Sequence, residues 1–171
     1  MKRLSLYSTL AFPKAYRYLT FILSAACRRY ILLLGMNLLP LSSMRSWLLS
    51  CCGVKIGKDC YIGFGVFVDT NYPQLITIGK NVTISHHCAL LTHSQSPISH
   101  GLLKDRINQV RSVKIDDGAW LGFQTIVLPG ATISRDCFIA AGSVVPPMLM
   151  RPASLYAGNP CCFKKSFIVH T

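Results

Sequence analysis

Residues 115–145 read IDDGAW, LGFQTI, VLPGAT, ISRDCF, IAAGSV and V, and this stretch decides the fold. Ile115, Leu121, Val127, Ile133, Ile139 and Val145 recur every six residues, and all are aliphatic. Four places after each of the first five stands a small residue: Ala119, Thr125, Ala131, Cys137 and Ser143. A period of six fits neither an α-helix nor a heptad. It suits a triangular coil in which each hexapeptide supplies one short strand and one turn. The aliphatic side chains then stack inward, and the small residue fills the corner. No single hexapeptide can bury its own face, so coil must stack on coil.

The period extends upstream. Ile78, Ile84 and Leu90 start IGKNVT, ISHHCA and LLTHSQ; Ile56, Ile62 and Val68 start IGKDCY, IGFGVF and VDTNYP. Cys60, Val66, Val82, Cys88 and Ser94 hold the small position. Cys60, Cys88 and Cys137 are therefore read as core residues rather than metal or redox groups. Coils begin at Ile56, Ile78, Ile115 and Ile133. An uninterrupted coil takes eighteen residues, so four are extra around Asn71–Leu75 and nineteen are extra in an insertion at about 96–113. Long excursions from a rigid coil commonly carry function.

The N-terminal segment differs. Arg17, Ser24 and Arg28 share helical spacing, with Phe21, Ile22, Ala25 and Ile31 around them, which predicts an amphipathic helix broken by Pro40. Ser42 or Ser43 is expected to cap a second helix, Met44–Cys51, ended by Gly53 and covering the open edge of the first coil. The organisation expected is thus a helical, basic-apolar segment over 1–52, a repeat domain over 53–165 and a tail over 166–171.

The net charge is +12, all six acids are Asp, and nine basic residues but no acid lie between Met1 and Lys58. These basic residues are interleaved with apolar runs, and no groove-reading or base-stacking motif accompanies them, which argues against a nucleic-acid partner. A basic, apolar segment suits an anionic membrane face, and equally a helical cap with solvated arginines. The uncharged stretch Tyr30–Met44 is short for a membrane span, and no convincing secretory signal is present. The eight cysteines form no C-x-x-C pair. The location expected is the cytoplasm, with peripheral contact to the inner membrane face left open through residues 1–50.

The run GAWLGFQTIVLPGATISRDCFIAAGSVV followed by SLYAGNP resembles the hexapeptide-repeat acyltransferases, nearest to maltose and galactoside O-acetyltransferases and to acetyltransferases of surface polysaccharides. The resemblance runs from about Gly53 to Lys165. It implies a left-handed parallel β-helix of about four coils, a homotrimer, and acetyl-CoA as cosubstrate in a cleft between neighbouring prisms, with no metal. It also implies a histidine general base in CALLTHSQSP, where the matching residue is His93. A hydroxyl is a poor nucleophile at neutral pH, and an imidazole that takes its proton is worth roughly 10²–10⁴-fold.

By the same resemblance Asp69 contacts the acceptor sugar, Trp120 lies at the CoA cleft, the backbone of Ala141 and Gly142 binds the pantetheine arm, and Lys165 lies near the CoA phosphates. Pro146 and Pro147 replace a Thr-Lys pair common in the family, and Cys162 replaces a basic residue, so the resemblance does not carry over the contacts to the nucleotide end of CoA. His86 and His87 are expected as exposed turn residues, and His100 as a loop residue that could line the acceptor site. The alternatives are a zinc hydratase of the γ-carbonic anhydrase type, which needs three converging histidines, a sugar-nucleotide N-acyltransferase or serine acetyltransferase, and a non-catalytic scaffold.

Overall fold

A computed structural model describes residues 26–94, Arg28 aside, and 108–167. The insertion around His100, the N-terminal stretch that includes Arg17, and the end of the tail lie outside the described residues.

The period of six becomes three parallel sheets around a triangular prism. The first face stacks Lys55–Ile56, Ile76–Ile78, Val113–Ile115 and Thr132–Ile133. The second stacks Tyr61–Ile62, Thr83–Ile84, Trp120–Leu121, Phe138–Ile139 and Ser154–Ala157. The third stacks Phe67–Val68, Ala89–Leu90, Ile126–Val127 and Val144–Val145. The register is the one read from the repeat: Ile56, Ile78, Ile115 and Ile133 lie over one another, as do Ile62, Ile84, Leu121 and Ile139, and Val68, Leu90, Val127 and Val145. All these side chains are buried except Ile56, at the open end, which is half-buried. Each buried aliphatic contributes about 1.5–3 kcal/mol relative to exposure.

The corners explain the small residues. The third residue after an aliphatic start adopts positive φ: Asp59, Asn81, Gly118 and Asp136 at one corner, and Gly65, His87, Gln124 and Gly142 at the next. That left-handed turn brings the following residue inward, where little space remains. Thr125 and Ser143 satisfy their hydroxyls on Gly122 and Ala140 carbonyls. The thiols of Cys60, Cys88 and Cys137 donate to the carbonyls of Gly79, Gly122 and Arg151 in the coil above. Burial pushes all three thiols up. Ser94 departs from the pattern: it is exposed, because the chain has already left the prism toward the insertion. Strands His93–Ser94 and Gln109–Val110 pair antiparallel at the base of that insertion.

A partial fifth layer was not read from the sequence. The period slips by one residue after Pro146 and resumes, so that Met150 packs over the first face through Thr132 and Tyr156 over Ile139. Cys162–Ser166 then folds back antiparallel on Ser154–Ala157.

Two helices close the other end: α1, helical over 29–38, and α2, Ser42–Cys51. Leu32 and Met36 of α1 and Leu48 and Leu49 of α2 are buried against the first coil. The expected serine cap is corrected. Leu41 occupies the cap position without a side-chain bond, and the Ser42 hydroxyl accepts instead from Ile62 N–H at 2.7 Å. Arg45, counted above among the basic residues, is buried. It donates to the Ile62 and Leu39 carbonyls and lies 4.1 Å from the Phe64 ring centroid.

Candidate active site

The four extra residues after Val68 bulge the corner between the third and first faces, ending in a 3-10 turn at Pro73–Leu75. One coil higher the chain leaves the same corner after Leu90. Because Val68 stacks on Leu90, the segment from Asp69 lies beneath Thr92 and His93. Coil geometry thus joins residues more than twenty positions apart.

Asp69 is 1% exposed. Its Oδ1 accepts from Asn71 N–H at 2.9 Å. Its Oδ2 accepts from Thr92 N–H at 3.0 Å, from the Thr92 hydroxyl at 2.6 Å and from His93 Nδ1. Burial alone raises a carboxyl, but here the bonds from Thr92, His93 and Asn71 outweigh it and hold Asp69 below the usual carboxylate range. An ionised carboxylate only accepts, so the hydrogen of the neutral imidazole sits on Nδ1 and Nε2 keeps its lone pair. Nε2 accepts from the Asn71 side-chain amide at 3.1 Å. The Asn71 carbonyl oxygen in turn accepts from Arg29 Nη2 of α1 at 2.6 Å. The Tyr72 ring meets the imidazole edge-on at 5.6 Å between centroids. His93 remains 25% exposed, so the ring is fixed from behind and open in front.

Asp69, expected to contact the acceptor, is enclosed here, and its carboxylate accepts from four donors, one of them His93 Nδ1. Asn71, Tyr72 and Thr92 were not singled out from the sequence, and Arg29 entered only as one of the basic residues of the N-terminal segment that suit an anionic membrane face. Thr92 and Asn71 are neighbours of His93 and Asp69, and a search of both excursions for amide and hydroxyl groups would have found them. Arg29 carried no such signal, because its contact crosses from the helix to the coil.

The other expected residues lie elsewhere on the prism. Trp120 is on the outer side of the second face, 52% exposed, its ring 4.9 Å from Phe138 and its Nε1–H donating to Ser85 Oγ at 3.3 Å. Ala141 and Gly142 are exposed at the corner between the second and third faces. Gly142 has φ +69°, and a Cβ there would meet no atom within 4 Å, so this backbone faces open space. Lys165 is exposed on the returning strand opposite Leu155. The full width of the third face separates the Ala141–Gly142 corner from His93 within one chain. His87 is exposed, as expected. His86 is not: it is half-buried beside Phe64, its Nε2 3.1 Å from the Tyr61 hydroxyl. Among the described residues no three His, Cys, Asp or Glu side chains converge as a metal site requires, and no helix is long and apolar enough to cross a membrane.

Comparison with known proteins agrees with the coil. Residues 49–70 match the family described as "Hexapeptide repeat of succinyl-transferase". The galactoside O-acetyltransferase of Escherichia coli K12 is 31% identical over 63% of this chain and 51% of its own length. That of Lactococcus lactis is 31% identical over 64% and 54%. The chain therefore spans about half the length of these relatives. Among solved structures, a hexapeptide-repeat acetyltransferase of Vibrio cholerae superposes with a TM-score of 0.61 at 22% identity, covering 85% of this chain and 92% of that one. A maltose O-acetyltransferase of Clostridium difficile 630 gives 0.59 at 24% identity, covering 87% and 89%. The six-residue period, the register of the three faces and these likenesses agree: the chain has the left-handed parallel β-helix fold built of hexapeptide repeats, and it is similar over about three-fifths of its length to galactoside O-acetyltransferases.

Proposed function

We propose that this protein is an acetyl-CoA-dependent O-acetyltransferase that acetylates a hydroxyl of a sugar or surface-glycan precursor, with His93 as general base. The observation that carries the reading is the imidazole itself, tethered through Nδ1 to a buried carboxylate, its Nε2 accepting only from the Asn71 amide and its side chain 25% exposed. The similarity to galactoside O-acetyltransferases supports the choice of acceptor class.

In this mechanism an acceptor hydroxyl takes the place of the Asn71 amide hydrogen at Nε2. Nε2 accepts the hydroxyl proton as the oxygen attacks the thioester carbonyl, the C–S bond breaks, and the imidazolium returns its proton to the departing thiolate. Asp69 stabilises the imidazolium without taking the proton. No acyl-enzyme is needed. The displaced Asn71 N–H is left beside the reacting oxygen, where a fixed donor helps most.

The CoA arm is assigned to the backbone of Ala141 and Gly142, with Trp120 alongside and Lys165 toward the phosphates. These groups lie across the third face from His93, which supports a homotrimer in which the CoA-binding edge of one prism meets the His93 corner of another. Residues 53–165 would form the catalytic domain, with 1–52 as its helical cap and 166–171 as a tail. Tyr30, Ile31, Leu34, Leu38 and Trp47 expose an apolar outer surface on the two helices. With a segment that is basic and free of acids, this supports peripheral contact with an anionic membrane.

Thiol release from acetyl-CoA, measured against a panel of sugars and lipid-linked glycans, tests the activity. Co-sedimentation with anionic vesicles at low salt tests the membrane contact, which is abandoned if the full chain stays in the supernatant.

A further inference from the structure

We infer that Arg29 is a positioning residue for the base: by fixing the Asn71 amide in one orientation, it keeps His93 Nε2 unprotonated and able to accept. This deepens the proposed function and rests on the reading of His93 as the base.

An asparagine side chain has one accepting and one donating end, and rotation by half a turn exchanges them. Here the oxygen faces Arg29 Nη2 at 2.6 Å and the nitrogen faces His93 Nε2 at 3.1 Å. The reversed amide would set its hydrogens against a guanidinium, which only donates. It would also set its oxygen against the Nε2 lone pair. Both contacts would be lost, so the observed orientation is favoured from two sides. Asn71 is held a third way, since its backbone N–H donates to Asp69 Oδ1.

Remove the guanidinium and one of these constraints disappears. The amide is then free to present its oxygen to the ring, where it would accept from an Nε2–H. That rewards the tautomer in which Nε2 carries the hydrogen and is no base. Asp69 opposes this tautomer through Nδ1, so Arg29 and Asp69 act on opposite nitrogens of one ring toward the same protonation pattern. Arg29 acts on His93 through its hydrogen bond to Asn71, and through that bond α1 becomes part of the catalytic unit rather than only a cover for the first coil.

The test uses the full chain with 15N-labelled histidine, His93 being assigned by its absence in H93Q. Nitrogen spectra of the wild type should report His93 as the Nδ1–H tautomer. R29M should raise the Nε2–H share, R29K should remain near the wild type, and R29M should add nothing in an N71A background. In parallel, R29M should lower kcat roughly 3- to 10-fold with KM for acetyl-CoA unchanged. R29M/N71A should be no slower than N71A alone, because the two act in series. R29Q is measured beside R29M, so that a folding defect in one variant does not decide the outcome.

An unchanged His93 tautomer in folded R29M and R29Q overturns the inference, as do rate losses of R29M and N71A that multiply. If the tautomer moves as stated while no form releases thiol from acetyl-CoA, the catalytic reading fails and the positioning stands.

Discussion

Asp69→Asn is a demanding perturbation, because the side chain keeps its shape and loses only its charge and one acceptor. Of the two carboxylate oxygens, Oδ2 serves three donors and Oδ1 serves one. The new NH₂ will therefore turn toward Asn71 N–H, leaving that single donor unpaired at a cost of about 1–3 kcal/mol to stability. The oxygen then still receives His93 Nδ1–H, and the tautomer survives. What is lost is the charge behind the imidazolium. A hydrogen bond to a charged group is worth about 1.5–3 kcal/mol, and at 1.36 kcal/mol per decade this becomes a loss of roughly 10- to 150-fold in kcat.

Should the amide turn the other way, the ring would adopt the wrong tautomer and the loss would approach roughly 10⁴-fold. Steady-state thiol release with saturating acetyl-CoA reads the difference. Activity within twofold of wild type, in a variant that remains folded, would refute the claim that Asp69 acts on the base. The acid limb of stability gives a second reading. Asp69 titrates lower in the folded state than in the unfolded chain. Its contribution is therefore fully present above the unfolded carboxylate value, about 3.9, and is lost as the pH falls through the lower folded value. D69N should lack that dependence.

Leu121, fully buried between Ile84 and Ile139 in the inner column, should destabilise the fold by about 2–5 kcal/mol on change to Ala, read by denaturant titration. Gly122→Ala and Gly142→Ala should differ sharply, because a Cβ on Gly122 falls 2.6 Å from Ala141 N whereas one on Gly142 meets nothing. The former should lower the melting temperature markedly, and the latter should cost only about 1 kcal/mol for its positive φ. Alkylation at pH 8 should modify exposed Cys51 and Cys162 quickly and Cys161 slowly, since burial pushes the Cys161 thiol up to about 11.

The coil was legible because its physics repeats. Every inward position recurs in the same chemical form, so Ile115 through Val145 announce both strand register and face. The fifth layer was not legible, since Pro146 and Pro147 shift the phase by one and the returning strand, Cys162–Ser166, has no repeat of its own. His93 and Asp69 could be marked one by one from the resemblance. Their pairing could not, because it follows from the stacking of two corners, which brings the Asp69 carboxylate to His93 Nδ1. Arg45 shows the limit of charge counting. It stands among basic residues in the sequence, yet its guanidinium is buried and spent on the Ile62 and Leu39 carbonyls.

The central claim is that His93 accepts the proton of an acceptor hydroxyl while acetyl-CoA supplies the acyl group. The most direct measurement compares wild type with H93A in acceptor-dependent thiol release, with CoA binding followed separately by calorimetry. The account predicts that H93A loses roughly 10²–10⁴-fold in kcat and binds CoA as the wild type does. An H93A enzyme that turns over its true acceptor at near the wild-type rate would contradict it.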